Sequence, residues 1–429
     1  MKFTLLNKLR FNKPSFNKLA LVALCSTFAL TACQDKAVLT ETTESPSAET
    51  IAKLANKIAQ ETLIADTHID VPYRLEESYE DVSKATKEGE FDYPRAVKGG
   101  LNAAFMSIYI PSKLQKTGGS KALANKLIDD IEAIVKQSPN KFALAYSTKQ
   151  VQDNFANGII SLPLGMENGS PIEGDLANLQ HFYDRGIRYI TLAHAKTNHI
   201  SDSSYDKNRP AQGLTDFGKE LIVEMNNIGV MVDISHVSDQ AFYQVMAISK
   251  VPVIASHSSA RFFTPGFERN MSDDMIKLLA KNGGVIHMTF SGIFISQKYR
   301  EQSAAYDLVK ADFIKANNLN EELAEDASKI DAFKDNYKIE NPFDFGTLAM
   351  VLDHYDHVVN LVGIDHVGIG SDYDGVSGIL PETLKDVATY PNLIAGLLER
   401  GYSEQDIKKL LSGNLMRVWQ QVEAYAANH

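Results

Sequence analysis

LIADTHID, residues 63–70, decides the fold. A short β-rich apolar run leads into Asp66, His68 and Asp70, so polar groups gather where a buried strand ends. The pattern recurs along the chain. Runs at Leu63–Ile69, Ala103–Ile110, Ile159–Leu164, Arg188–Leu192, Val230–Ile234, Val251–Ala255, Gly284–Thr289 and His366–Gly370 alternate with segments of helical spacing such as Ser120–Val135 and Thr215–Asn227. Strands separated by helices predict a parallel sheet, and near-continuous apolar strands predict burial on both faces. Eight such units predict an α/β fold of the (β/α)8, TIM-like type. A doubly wound open sheet is the alternative, but no glycine-rich dinucleotide loop follows the first run.

The ends of the runs carry the chemistry. The first closes on Asp66-Thr67-His68-Ile69-Asp70, the third on Gly165-Met166-Glu167, the fourth on Ala193-His194, the fifth on Asp233-Ile234-Ser235-His236, the sixth on Ser256-His257 and the eighth on Ser371-Asp372. In a parallel barrel all carboxyl ends open onto one face, where active sites of this fold are built. His68 and Asp70, two apart on an extended strand, point to the same side and can share one cation. His236 and His257, on neighbouring strands, can hold a second, and the two oxygens of Glu167 suit a bridge between them. Two cations about 3.5–4 Å apart stabilise a bridging hydroxide and polarise a carbonyl. Asp372 is then free to move a proton, and His194, in neither pair, to face the substrate oxygen.

Each residue taken singly also has a structural reading. Glu167 beside Asn168-Gly169 suits a turn, and Asp372 and Asp374 suit a loop. His181, His199, His287, His354, His357, His366 and His429 are read as structural hydrogen-bonders. The joint placement at one end of successive strands favours a metal site, because a buried polar cluster without a partner is costly.

These motifs resemble the membrane dipeptidase (renal dipeptidase) family of amidohydrolase-like metallopeptidases. The resemblance rests on DTHID at 66–70, GMENG at 165–169, LAH at 192–194, DISHVSD at 233–239, IASHSSAR at 254–261, ERNMSDD at 268–274, GIGSDYDG at 368–375 and GNLMRV at 413–418. It implies a (β/α)8 barrel with two zinc ions that hydrolyses dipeptides, including those with a C-terminal D-residue. His68 and Asp70 match ligands of one zinc, His236 and His257 ligands of the other, and Glu167 the bridging carboxylate. Asp372 matches the acid–base aspartate, His194 the substrate-facing histidine, and Arg269 the arginine that holds the substrate carboxylate. A one-residue shift of that loop would put Glu268 in its place. The family also implies a homodimer. Two other readings use the same residues: a different binuclear hydrolase acting on a β-lactam, lactone or N-acyl amino acid, and a non-catalytic envelope binding protein.

Outside this core, Met1–Lys18 is basic and Leu19–Ala32 is an apolar run of 14 residues, shorter than a bilayer-spanning helix. Followed by Leu30-Thr31-Ala32-Cys33, it reads as a lipoprotein signal over residues 1–32, with Cys33 lipidated and residues 33–50 a polar tether. The expected location is the bacterial envelope, held to a membrane, at the outer membrane by the Gln34 that follows the cysteine. Cys25 leaves with the signal, so no disulfide is available. Residues 51–429 form one catalytic domain, with a helical excursion at about 296–345 whose run Lys310–Lys334 has helical spacing. The formal charge is −11, and beyond residue 32, which follows five cations and no anions, 38 cations face 54 anions. Such a surface excludes nucleic-acid binding by phosphate neutralisation and leaves a small peptide as the expected partner.

Overall fold

The computed structural model describes residues 47–321 and 323–429, so the signal segment, Cys33 and most of the tether lie outside the described residues. Ten parallel strands form one sheet: β1 (Ile64–Ile69), β2 (Leu101–Tyr109), β3 (Phe142–Leu144), β4 (Ile160–Leu162), β5 (Leu164–Glu167), β6 (Ile187–Thr191), β7 (Met231–Asp233), β8 (Ile254–Ser258), β9 (Val285–Met288) and β10 (Val367–Ile369). β1 pairs with β2, and β2, β5, β6, β7, β8, β9 and β10 follow as successive neighbours. The ring closes just past β10, where Asp70 N donates to Tyr373 O at 2.9 Å and Asp372 N donates to His68 O at 3.2 Å. Gly370 permits that closure: a Cβ there would lie 1.9 Å from Ser256 O. The eight-stranded α/β barrel expected from the sequence is present.

Three boundaries differ from the expectation, each for a local reason. The run Ile159–Leu164 is cut at Pro163, which has no N–H for the ladder, so β4 pairs with β2 at Ala103 and β5 takes over from Met106 onward. Pro252 likewise delays the sixth run, and β8 starts at Ile254 and carries His257 within the strand. The first helix, Ala48–Glu61, takes in the last three residues assigned to the tether because the Ser47 hydroxyl accepts from Thr50 N and caps it. β3, an additional edge strand, is three residues long and has too little pattern to be seen in sequence.

The space between sheet and helices holds one large apolar core. A second cluster fills the barrel: Ala65, Ala103, Phe105, Tyr189, Met231, Ile254 and Val285 pack against Trp419 of the C-terminal helix Asn414–Ala426. The excursion is a helical hairpin, Gln297–Ala316 and Ala324–Glu340. The run of helical spacing Lys310–Lys334 spans parts of both helices and the turn between them, where Asn318 takes φ 51°, a conformation asparagine tolerates. Phe313 then stacks on Phe333 across the hairpin at 4.1 Å. No helix among the described residues is long and apolar enough to cross a membrane.

Candidate metal centre and cavity

Barrel closure brings the strand-end residues together. His68 and Asp70 leave β1 on the same side, with His68 Nε2 3.4 Å from Asp70 Oδ2. Glu167, the last residue of β5, lies between two groups of donors. Its Oε2 is 3.6 Å from His68 Nε2, while its Oε1 is 3.1 Å from His236 Nε2, 3.2 Å from His257 Nε2 and 3.6 Å from His194 Nε2. The donor atoms of His68, His257 and Asp372 also lie within 4.8 Å of one another, as do those of Glu167, His194 and His236. His194 and Asp372 are therefore nearer the donor set than the sequence reading placed them.

Electrostatics suit cations. Burial disfavours a charge on His68, yet the Tyr189 hydroxyl and the Asp70 and Glu167 carboxylates outweigh it and hold its pKa well above the usual value. Its surroundings thus favour positive charge at Nε2. Burial, together with Arg269, holds His236 and His257 well below the histidine range, leaving lone pairs as donors. Burial opposes ionisation of Glu167, but His194, His68, His236 and His257 keep it a carboxylate. Asp372 is pushed up to about 7, chiefly by burial, with Asp70 and Glu167 adding to it and His68 opposing. A bound cation opposes that rise.

The residues fit a metal on one further ground. His68 Nε2 is fully buried and has no hydrogen-bond partner, which is expensive unless an ion or proton is supplied. Backbone strain collects at the same place. Asn168 (φ 73°), His236 (φ 68°), Asp372 (φ 67°) and Asp374 (φ 65°) are left-handed non-glycine residues at strand ends.

A cavity of about 660 Å³ opens over the cluster, with Asp70, Glu167, His194, His236, His257 and Asp372 on its floor and Tyr73, Tyr109, Tyr205 and Phe294 among its walls. Arg269 lies behind the His236–His257 pair. It is 3% exposed, donating to Ser258 Oγ (2.8 Å), His257 O (2.6 Å) and His236 Nε2 (3.0 Å), and its Nε has no partner. Unlike Arg209 and Arg261, which pair with Glu268 and Asp239, it makes no ion pair among the described residues. Glu268 points away, towards Arg209.

Most of the histidines read as structural are so placed. His366 Nδ1 meets Gly284 O, His287 Nδ1 meets Ala255 O, and His357 Nε2 pairs with Asp273. Residues the sequence reading passed over include Tyr189, whose hydroxyl is 2.9 Å from His68 Nδ1, and Ser256, whose hydroxyl is 2.8 Å from His257 Nδ1. Tyr189 carries no local signal, since it sits mid-strand among apolar residues. Ser256 lies beside His257 in a quoted motif and was visible in principle.

Fold and donor cluster together define an amidohydrolase-like (β/α)8 barrel. The family model described as membrane dipeptidase (Peptidase family M19) matches residues 52–429, and the chain belongs to this family of metallopeptidases. Dipeptidase 3 of Mus musculus is 31% identical over 369 residues, covering 84% of this chain and 64% of that protein. Dipeptidase 3 of Rattus norvegicus is equally similar, with 65% of its length covered, so the chain spans under two thirds of these curated relatives. Among solved structures, the probable dipeptidase PvdM from Pseudomonas aeruginosa superposes with a TM-score of 0.76 at 27% identity, covering 88% of this chain and 100% of that one. A metallo peptidase from Rhodobacter sphaeroides, solved with a phosphinate mimic of the dipeptide L-Ala-D-Ala, shares the fold at 23% identity with a TM-score of 0.67, covering 84% of this chain and 100% of that one.

Proposed function

We propose that the chain is a zinc-dependent dipeptidase acting on short peptides, including those with a C-terminal D-residue. One observation carries this reading: the two oxygens of Glu167 meet different donors, Oε2 lying nearest His68 and Oε1 nearest His236 and His257. A single buried carboxylate so flanked suits a bridge. His68 and Asp70 would hold one zinc and His236 and His257 the other. When bound, the pair supplies Lewis acidity and a water acidic enough to attack near neutral pH.

The chain's own residues do the rest. Asp372, at the cavity floor, takes the proton released by the attacking water and returns it to the departing amine. His194, 21% exposed at its side chain, lines the cavity beside Glu167 and stabilises the oxygen on which negative charge develops. Arg269 holds the free carboxylate of the peptide. A buried guanidinium without a carboxylate partner is unfavourable, which supports an anionic ligand in exchange for the His236 contact. Lipidation of Cys33 would hold the enzyme at the envelope, and mass spectrometry of the N-terminal peptide tests it. A homodimer is tested by sedimentation.

The deciding experiment combines zinc analysis with a panel of Gly-D-Ala-like dipeptides, N-acyl amino acids, β-lactams and lactones. Two zinc per chain with dipeptide turnover supports the proposal. Turnover confined to lactones, β-lactams or acyl amino acids would replace the substrate, and fewer than one tightly bound ion would remove the metal reading.

A further inference from the structure

Two of the five proposed histidine and carboxylate strand-end ligands are held from behind by hydroxyl groups that can accept only one way round. The Tyr189 hydroxyl has one proton, which it donates to Thr67 O at 2.9 Å. Its contact with His68 Nδ1 at 2.9 Å must therefore be an N–H donated by the imidazole. The Ser256 hydroxyl likewise donates its one proton to Asp233 Oδ2 at 2.6 Å, so His257 Nδ1 at 2.8 Å must donate to it. Asp233 is firmly set for this purpose: it is fully buried and also accepts from Thr191 Oγ1 (2.5 Å), Ser235 N (3.0 Å) and Ser256 N (2.8 Å). Both rings consequently carry a proton on Nδ1 and turn Nε2, the atom that would take a metal, towards Glu167. The rings lie 3.7 Å apart and nearly parallel, so neither turns without displacing the other. His236 differs, because its Nδ1 is buried without a partner.

We infer that Tyr189 and the Ser256–Asp233 pair are positioning residues for the metal centre, setting the tautomer and orientation of His68 and His257 respectively. The inference rests on the zinc reading above. Tyr189 is 121 residues from His68 in the chain, and its hydroxyl is placed by packing. Its ring is fully buried, 5.5 Å from Phe105, and passes directly over Gly165, where a Cβ would lie 2.0 Å from Tyr189 Cζ. Gly165 is thus part of the device: it leaves the gap through which the tyrosine reaches the back of the imidazole. Partners behind metal-ligating histidines typically contribute ten- to a hundredfold in affinity.

Zinc affinity of the full chain, measured by competition against a chromophoric chelator, tests this together with melting of the metal-stripped protein. Wild type should bind two ions. Tyr189→Phe keeps the ring and its packing, and should weaken one ion by ten- to a hundredfold, with metal-free melting within a few degrees of wild type. Ser256→Ala should weaken one ion by a similar factor, and the double variant should weaken both. Gly165→Ala touches neither a ligand nor a hydroxyl, yet should reproduce the Tyr189→Phe loss by displacing the tyrosine. If Ser256→Ala fails to fold, Tyr189→Phe alone decides. Two tightly bound ions in Tyr189→Phe, within threefold of wild-type affinity, would overturn the inference while leaving the zinc reading intact. A wild-type chain that binds no zinc would overturn both.

Discussion

Replacing Asp372 by asparagine separates proton transfer from metal binding. The substitution is sterically mild: residue 372 has φ 67°, a conformation asparagine accepts, and its backbone N–H to His68 O at 3.2 Å is retained. The lost property is the ability to take a proton from the attacking water and return it to the departing amine. General acid–base catalysis contributes about 10²–10⁴-fold, or roughly 3–5 kcal/mol of barrier. The expected outcome is kcat/KM for a dipeptide lowered by that factor, with zinc content and melting temperature unchanged. The donor atoms of Asp372 lie within 4.8 Å of those of His68 and His257, so the rival role is that of a ligand. Measuring zinc stoichiometry beside turnover decides between them. Activity within threefold of wild type would refute the proton role, and loss of one zinc would show that Asp372 binds metal instead.

Three further outcomes follow from particular contacts. Arg269→Ala should raise KM for dipeptides by about 10–100-fold, the scale of a lost charge-assisted hydrogen bond. Amidating the peptide's carboxyl should have the same effect on wild type and little more on the variant; additive effects would place the carboxylate elsewhere. Stability should fall in acid, because burial lowers His287 and His354 to about 4. Both stay neutral in the fold while the unfolded chain takes up protons below about 6.5, so stability is full above that pH and declines towards 4, by about 2 kcal/mol per histidine at pH 5. Urea midpoints that match at pH 7.5 and pH 5 would contradict this. Gly370→Ala should cost about 1–3 kcal/mol or more, since the added methyl meets Ser256 O at 1.9 Å where the barrel closes. Thermal melting checks it, and an unchanged midpoint would mean that the closure is looser than described.

How much was legible in the sequence depended on the range of the interaction. A short apolar run and the polar residues at its end are local properties, so LIADTHID could be read as a strand that delivers His68 and Asp70 to one side. Repetition of that local pattern made the parallel barrel and its polar face readable, and the linked motifs identified the family. Helix and strand edges set by single residues were less visible: Pro163 and Pro252 moved strands by removing N–H groups, and Asn318 marks where the first helix of the excursion ends.

By itself, then, the order of residues determined which side chains would stand at the barrel's mouth. Only the tertiary structure decided how they meet. Which oxygen of Glu167 faces His68 and which faces His236, the place of Asp372 within donor range, the retreat of Arg269 behind the histidines and the support of His68 by Tyr189 all depend on contacts across strands. Those distances are set by register and by closure of the ring, which brings together residues as far apart in the chain as Asp372 and His68. A local pattern specifies the face of a strand but carries no information about what the far wall presents to it.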